Sequence, residues 1–428
     1  MRSGLSRLPE GVTVMVGHRV QLRVNAYEDE DLELTFPGDW EVVECRMLGH
    51  GRPPLTDEQI RSAIQSPIES PRLREIAKGK ERVVILFDDP TKPTPTHRIV
   101  PFFLEELREG GIRDDQIRFV CGFGAHRALS TREFVTKLGA DVVANYPVYN
   151  HNPYENVVYV GTTSRGTPMY INREVVSCDL RIAIGGIIPH RLAGFGAGGK
   201  IVLPGVAGIE TIAAHHSRMV QEPYRETIGV GKVDGNHFRL DIEEGARLGG
   251  LQFKADCVIN DRREVVGVCA GDVVAEHRAG VRLAREVYHT ELVGDADVLV
   301  SNAYPDEHQV MRAFRLSPLC LKDGGDLVVV GWNREGQAVH YLNGRFGTEY
   351  GGRGWRSGRT SEALARVGSV FVLTPLLSMT ERMEFGGNNV VWCRSWGEVI
   401  AKLAARHGPG TRAVVYPYAP IQLVTKRA

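Results

Sequence analysis

This sequence predicts an α/β protein of two lobes, each built on a mostly parallel sheet, with the active site in the cleft between them. Three observations carry that expectation. The chain has 428 residues, more than one ordinary domain holds and suited to two or three. Short apolar runs alternate with helical stretches from residue 82 and again from residue 297, the rhythm of strand–helix–strand units. Between the two series, DVVAEHRAGVRLAREVYHTELVGD (272–295) reads as a helical link. The expected division is an N-terminal lobe of 1–271, the link 272–295, a C-terminal lobe of 296–405, and a segment 406–428 returning to the N-terminal lobe. Parallel strands leave crevices at their carboxyl ends, so the site is expected there.

Taken in order, VTVMVG and LELTFPGDWEVVECRM alternate apolar and polar residues like strands of a small antiparallel sheet. LTDEQIRSAIQS and SPRLREIAKG follow as helices. RVVILFDD and IRFVCGFG, on either side of the helical THRIVPFFLEELREGG, open the first series. LSTREFVTKLG is a helix, with Ser130 and Glu133 at capping-box spacing. Strand-like VVYVG, MYINREVV and RIAIGG lead into PHRLAGFGAGGKIVLPG (189–205), whose last five residues predict a short strand stopped by Pro204 and Gly205. GIETIAAHHSRMV is a helix. The second series has strands ADVLVSNAY, DLVVVGWN, SVFVLTP and RAVVYP, alternating with helical EHQVMRAFRL, SEALARVG and WGEVIAKLAARHG.

Composition excludes several classes. Lys+Arg and Asp+Glu balance at 52 each, so no global field attracts nucleic acid or an acidic membrane, and neither is expected as a partner. Seven cysteines without a C-x-x-C pair suit reduced, buried thiols better than a disulfide framework. The N-terminal MRSGLSRLPEG lacks the apolar core of a signal peptide, and no run reaches membrane-spanning length. A cytoplasmic enzyme is the expectation.

Four stretches at strand ends or turns carry chemistry-bearing residues. DDPTKPTP holds Asp88, Asp89 and Lys92; GFGAHR exposes His126 and Arg127; PHRLAGFGAGGK sets His190 ten residues before Lys200; AAHHS places His215 and His216 on a helix. Farther on, HQVMRAF puts Gln309 and Arg312 three apart, hence on one helix face. Each alone has a plain structural explanation: a turn histidine, a tight glycine turn, a solvated helix face. Gly194, Gly199 and Lys200 fit G-x-x-x-x-G-K, but Ile201 stands where a phosphate loop needs Ser or Thr for Mg²⁺. Two histidines can exchange acid and base roles across a substrate, a third can hold a transition metal, and a lysine can anchor a cofactor. The residues alone point to a two-base metal enzyme or a lysine-anchored cofactor enzyme.

Together DDPTKPTP, GAHR, PHRLAGFGAGGK, GIETIAAHHS and HQVMRAF resemble the nickel-pincer lactate racemase family, in the family's order and spacing, over residues 80–320. The resemblance implies racemisation or epimerisation of a 2-hydroxy acid by reversible hydride transfer. Its cofactor is a nickel-bearing pyridinium-3-thioamide-5-thiocarboxylic acid mononucleotide, made by separate biosynthetic enzymes and tethered to a lysine, which here is Lys200. Gly198 and Gly199 would let the backbone approach that cofactor. His126 and His190 map to the acid/base pair and His216 to the nickel ligand, with His215 as runner-up. Asp89, Lys92, Gln309 and Arg312 map to substrate binding. Lys92 and Arg312 depart from the family's pattern, which has arginine at the first position and lysine at the second. Because Arg grips a carboxylate bidentately and Lys acts as a point charge, a substrate other than lactate is open: a short hydroxy acid, a hydroxy diacid or an aldonate. Tyr304, Asp306 and His308 are candidates for contacts to a longer substrate. Trp332, Trp355 and Trp392 are candidates for the family's C-terminal tryptophan. A homodimer is the expected assembly. The alternatives are a metal-dependent hydro-lyase using the same histidines, a nucleotide-binding phosphotransferase, and a cofactor carrier without catalysis.

Overall fold

The structure is a computed structural model. It describes residues 11–425 apart from 15–17, 27, 29, 334–335, 338–363, 365, 377 and 379–388. Its described residues form two compact units, one of Gly51–Arg285 and one of the residues that precede and follow that stretch in sequence. No helix among the described residues is long and apolar enough to cross a membrane.

In the unit Gly51–Arg285 a six-stranded sheet runs in the order 265–271, 253–259, 180–186, 83–87, 117–121, 148–150. All neighbours are parallel except Phe253–Ile259 with Val265–Gly271. The central strand VVILF is buried at all five positions, as expected of a parallel strand covered on both faces. From Val83–Phe87 the chain builds outward on one side; from Leu180–Gly186 it builds outward on the other. These two adjacent strands are therefore the point where strand order reverses, and ligands gather at the carboxyl ends of such a pair. VVYVG and MYINREVV form an antiparallel hairpin beside the sheet, Val157–Thr162 with Pro168–Asn172. The helix Thr131–Leu138 begins with the expected capping box, Ser130 accepting from Glu133 N–H and Glu133 from Ser130 N–H.

One expected element is absent. IVLPG is no strand: Gly198–Ile201 is a 3₁₀ turn, and its bonds continue locally, Val202 N–H to Gly199 O at 3.0 Å and Gly205 N–H to Lys200 O at 3.0 Å. Ile201, Val202 and Leu203 are buried in the core cluster with Val84, Leu86, Phe238 and Ile242, so burial rather than β pairing accounts for the apolar run.

The other unit carries a seven-stranded sheet in the order 12–14, 41–45, 412–416, 296–302, 321–330, 370–373, 390–393. Only Val12–Val14 runs antiparallel to its neighbour. The four strands expected in the second series are all present. Two expected boundaries are corrected. The described residues of 1–50 do not join the lobe of the lysine and histidines: EVVEC, buried at four of five positions, pairs in parallel with Arg412–Tyr416. The segment 406–428 does not return to that lobe either, because Arg412–Tyr416 fills the place between 41–45 and 296–302. Within the first fifty residues two antiparallel pairings form, Val12–Val14 with Glu41–Cys45 and Arg19–Arg23 with Asp31–Thr35, the first of them as part of the seven-stranded sheet. The link contains one helix, Ala275–Val287, followed by a short strand, His289–Glu291, paired with Leu423–Thr425. Half of SEALARVG, and Trp355, lie outside the described residues.

Candidate active site

Three of the singled-out stretches leave the carboxyl ends of neighbouring strands: DDPTKPTP after Phe87, GFGAHR after Cys121, and IIPHR after Gly186. The first two meet. Asp89 Oδ2 accepts from His126 Nδ1 at 2.5 Å. Its Oδ1 accepts from Thr91 N–H at 2.9 Å and from Thr91 Oγ1 at 2.5 Å, and Lys92 Nζ donates to that hydroxyl at 2.8 Å. Burial alone would push the Asp89 carboxyl up; the charge and hydrogen bond of His126, with Lys92 and Thr91, outweigh it and hold the carboxyl well below the usual range. The carboxylate thus fixes the proton of His126 on Nδ1 and leaves proton exchange to Nε2. Arg127 is engaged structurally, by Glu133 at 2.5 and 3.0 Å.

The loop before Lys200 is clamped from three sides. The buried Arg239 guanidinium donates to the carbonyls of Phe195, Gly196 (3.2 Å) and Ala197 (3.0 Å); burial lowers its pKa to about 10. His277 bonds Gly196 O through Nε2 at 2.8 Å. Asp256 accepts Gly198 N–H at 2.7 Å and pairs with Lys254, whose own pKa burial lowers to about 8. The two glycines face protein: a Cβ on Gly198 would lie 3.0 Å from His277, and one on Gly199 2.8 Å from the Ala246 Cβ. Close helix packing requires a residue without a side chain at both positions. Gly198 also holds a φ of +57°, the region that favours glycine.

Lys200 and three histidines converge on one residue, Phe238. The Lys200 ammonium lies 5.7 Å from the ring centroid, a cation–π contact. The rings of His215, His216 and His190 stand at 4.2, 5.2 and 6.4 Å. His216 Nδ1 bonds Ile212 O at 3.0 Å, so its proton sits on Nδ1 and its lone pair on Nε2. His215 Nδ1 bonds Asp241 Oδ2 at 2.7 Å, and Asp241 is held by Thr163 and Thr167. His215 Nε2 is buried without a hydrogen-bond partner. Burial, outweighing Asp241, keeps that ring's pKa below the ordinary value. His190 differs: its Nδ1 accepts from Leu192 N–H at 3.2 Å and Ala193 N–H at 3.0 Å, so a neutral ring carries its proton on Nε2.

Comparison with known proteins bears on this arrangement. Residues 27–228 match the family model of the lactate racemase N-terminal domain. The lactate racemase of Lactiplantibacillus plantarum is 32% identical over 287 residues, covering 65% of this chain and 66% of that protein. That of Thermoanaerobacterium thermosaccharolyticum is 30% identical over 281 residues, covering 64% and 65%. The chain is a lactate racemase homologue. The aligned part spans just under two thirds of either relative's length. In fold, the lactate racemase apoprotein of T. thermosaccharolyticum superposes with a TM-score of 0.72 at 22% identity, covering 95% of this chain and all of that one. A Thermotoga maritima protein superposes at 0.65 with 16% identity, covering 87% and 99%.

In this lactate racemase homologue, Gln309 and Arg312 belong to the other unit and are not on one helix face. Gln309 has φ −136° and ψ 68°, which breaks the 3₁₀ helix Glu307–Leu316 between them. Arg312 pairs with the buried Asp306 at 2.6 Å, and His308 Nδ1 is bonded by Asn333 at 2.9 Å, so both have structural partners. Trp392 lies in the strand Val390–Cys393, and the Trp332 Nε1 is buried without a hydrogen-bond partner. Among the described residues no group of three or more His, Cys, Asp or Glu side chains is placed to hold a metal. A site ligated by His126, His190 and His216 together, as the hydro-lyase alternative requires, is therefore not assembled. Lys200 also fails the phosphate-loop test, since its 3₁₀ turn spans four residues and Ile201 is buried. Phe238, Arg239, Asp241 and Asp256 escaped the sequence analysis. For the first three the available signal was HFRLDIEEGARL, where Phe, Arg and Asp fall within four residues of an otherwise ordinary amphipathic helix; Asp256 sits in the buried strand Phe253–Ile259.

Proposed function

We propose that the chain racemises or epimerises a 2-hydroxy acid with a nickel-pincer nucleotide tethered to Lys200. What supports this is the gathering of Lys200, His190, His215 and His216 around Phe238, in a homologue of lactate racemases. The residues fit such a group. A buried imidazole nitrogen without a partner, His215 Nε2, and a neighbour whose Nδ1 is committed to a carbonyl, His216, are what a metal-binding surface needs. Lys200 would carry the tether and His216 the metal, with His215 beside it. When bound, the group supplies a reversible acceptor for the hydride of the substrate's α-carbon.

The chain's own residues do the rest. His126 takes the hydroxyl proton at Nε2, and the ionised Asp89 stabilises the imidazolium that results. His190 is held as the opposite tautomer, so its Nε2–H can donate a hydrogen bond to the substrate's oxygen. Lys92 offers a positive charge beside the His126–Asp89 pair for the substrate carboxylate. For Arg312 to share that work it would have to leave Asp306. Lys92 as a point charge grips a carboxylate less directionally than a guanidinium, which favours a substrate with further polar groups over lactate.

The test is co-expression with the enzymes that make the cofactor, then peptide mass mapping across Lys200 with nickel quantified on the same sample. A sulfur-containing pyridinium nucleotide on Lys200 with one nickel per chain is expected, with racemisation of 2-hydroxy acids followed by chiral chromatography. An unmodified Lys200 and no nickel, under conditions that charge a lactate racemase, would overturn the proposal. His216→Ala and His215→Ala then separate the two ligand candidates: nickel retention should fall with the first and persist with the second.

A further inference from the structure

Lys137 lies outside every motif that carries the proposed chemistry, yet it is tied to one of them by all its donors. It sits on the helix Thr131–Leu138 and its side chain is 0% exposed. Its ammonium has three N–H groups and makes three bonds: to Asp88 Oδ1 at 2.5 Å, Lys92 O at 3.0 Å and Thr94 O at 3.1 Å. Asp88 in turn accepts Thr94 Oγ1 through its other oxygen at 2.6 Å. These four bonds fasten the start, middle and end of the turn Asp88–Thr94. Of the turn's two residues of proposed function, Asp89 lies between the fastened points and Lys92 is one of them.

A buried ammonium is a costly way to fill a core position that an apolar side chain would fill as well. Nor does the turn need it for stiffness, since Pro90 and Pro93 already restrict the backbone. What the ammonium adds is directional: it fixes where the backbone of the turn stands relative to the neighbouring strand end that carries His126. The Asp89–His126 bond, at 2.5 Å, depends on that placement to within a fraction of an ångström. A Cβ on Gly186 would lie 2.5 Å from Thr94 Oγ1, so the turn is also pressed against the strand that leads to His190.

We propose that Lys137, through Asp88 and the carbonyls of Lys92 and Thr94, positions the Asp89 carboxylate on His126 and so fixes the Nδ1–H tautomer of that histidine. Lys137 is a positioning residue; it touches neither His126 nor Asp89. Its importance rests on His126 being an acid/base group, but the test is independent of that reading because it is made on the cofactor-free chain.

The experiment is ¹⁵N NMR of histidine-labelled protein, with His126 assigned from a His126→Gln variant. The parent should show His126 protonated on Nδ1, with a strongly downfield proton from the short bond to Asp89. Lys137→Met should lose that proton signal and mix the two tautomers, while circular dichroism shows a folded chain. Thr94→Val, which removes only the hydroxyl tie to Asp88, should move the same signals in the same direction by less. If the loaded enzyme proves active, kcat should fall by up to roughly 10²-fold in Lys137→Met with KM little changed, the signature of a displaced group. Parent-like His126 signals in a folded Lys137→Met would overturn the proposal. Should that variant not fold, parent-like signals in Thr94→Val would do the same. If the parent shows no racemase activity at all, the reading of function fails while the NMR result still decides the role of Lys137.

Discussion

At single residues, two histidines with four strands between them in sequence are held as opposite tautomers. His126 donates a hydrogen bond from Nδ1 to Asp89, while His190 uses Nδ1 to accept from two backbone N–H groups. The same ¹⁵N spectra should therefore report Nδ1–H for His126 and Nε2–H for His190 near neutral pH. Asp89→Asn keeps the shape but offers no anion, and kcat should drop roughly 10²–10⁴-fold, the usual worth of a positioned acid/base group. The folded pKa of Asp89 is depressed, so its stabilisation is complete above the unfolded value of about 3.9 and disappears only as pH falls through the lower folded value. Glu276 behaves in the opposite sense. It is fully buried, neither of its carboxyl oxygens has a hydrogen-bond partner, and burial raises its pKa well above 4.5. The folded chain prefers it protonated, so stability declines as pH rises past the unfolded pKa of about 4.3. Glu276→Gln should raise the melting temperature at pH 7, and the gain should vanish near pH 4; an equal gain at both pH values would exclude titration as its origin. His126, His190 and Lys200 stand out in the sequence because small residues in turns flank them, and His215–His216 because two histidines adjoin on a helix. Asp241, Phe238 and Lys137 do not, because a helical Asp, Phe or Lys looks like ordinary amphipathic patterning until the fold shows what it touches.

Among the elements, the turn that carries Lys200 shows how apolar composition misleads. IVLPG has the residues of a strand, but its amides bond back within the turn and its side chains fill the core beneath. Only a neighbouring strand would have settled the choice, and none is visible in a sequence window. The turn's tolerance is low. Gly199→Ala places a methyl 2.8 Å from Ala246 Cβ, and such overpacking costs about 1–3 kcal/mol; a thermal or chemical melt should register it. Arg239→Met, by releasing the carbonyls of 195–197, should reduce cofactor loading on Lys200 as read by mass mapping, beyond what loss of folded protein explains. The helical stretch Glu307–Leu316 failed differently. Its periodicity is sound, but the break at Gln309 removes the common face that put Gln309 beside Arg312. Helix caps were more faithful: Ser130 and Glu133 start their helix where the spacing placed them, because a capping box is a purely local agreement.

For the whole molecule, alternation of strands and helices correctly indicated parallel α/β sheets, as the fold shared with the lactate racemase apoprotein bears out. Strand order was beyond it, since parallel neighbours are chosen by packing and not by adjacency in sequence. The clearest instance is Arg412–Tyr416, which lies between Glu41–Cys45 and Ala296–Asn302 although more than a hundred residues separate it from either. Truncation after residue 405 should therefore leave the seven-stranded sheet without an internal strand and yield insoluble chain. That placement also sets an order of events at the ribosome. The stretch Gly51–Arg285, with its six strands and the lysine, emerges before that inner strand is made. The other sheet waits for Arg412–Tyr416, on the order of ten seconds later. Throughout that interval the nascent chain already displays Lys200 on a nearly complete scaffold while its partner sheet cannot close.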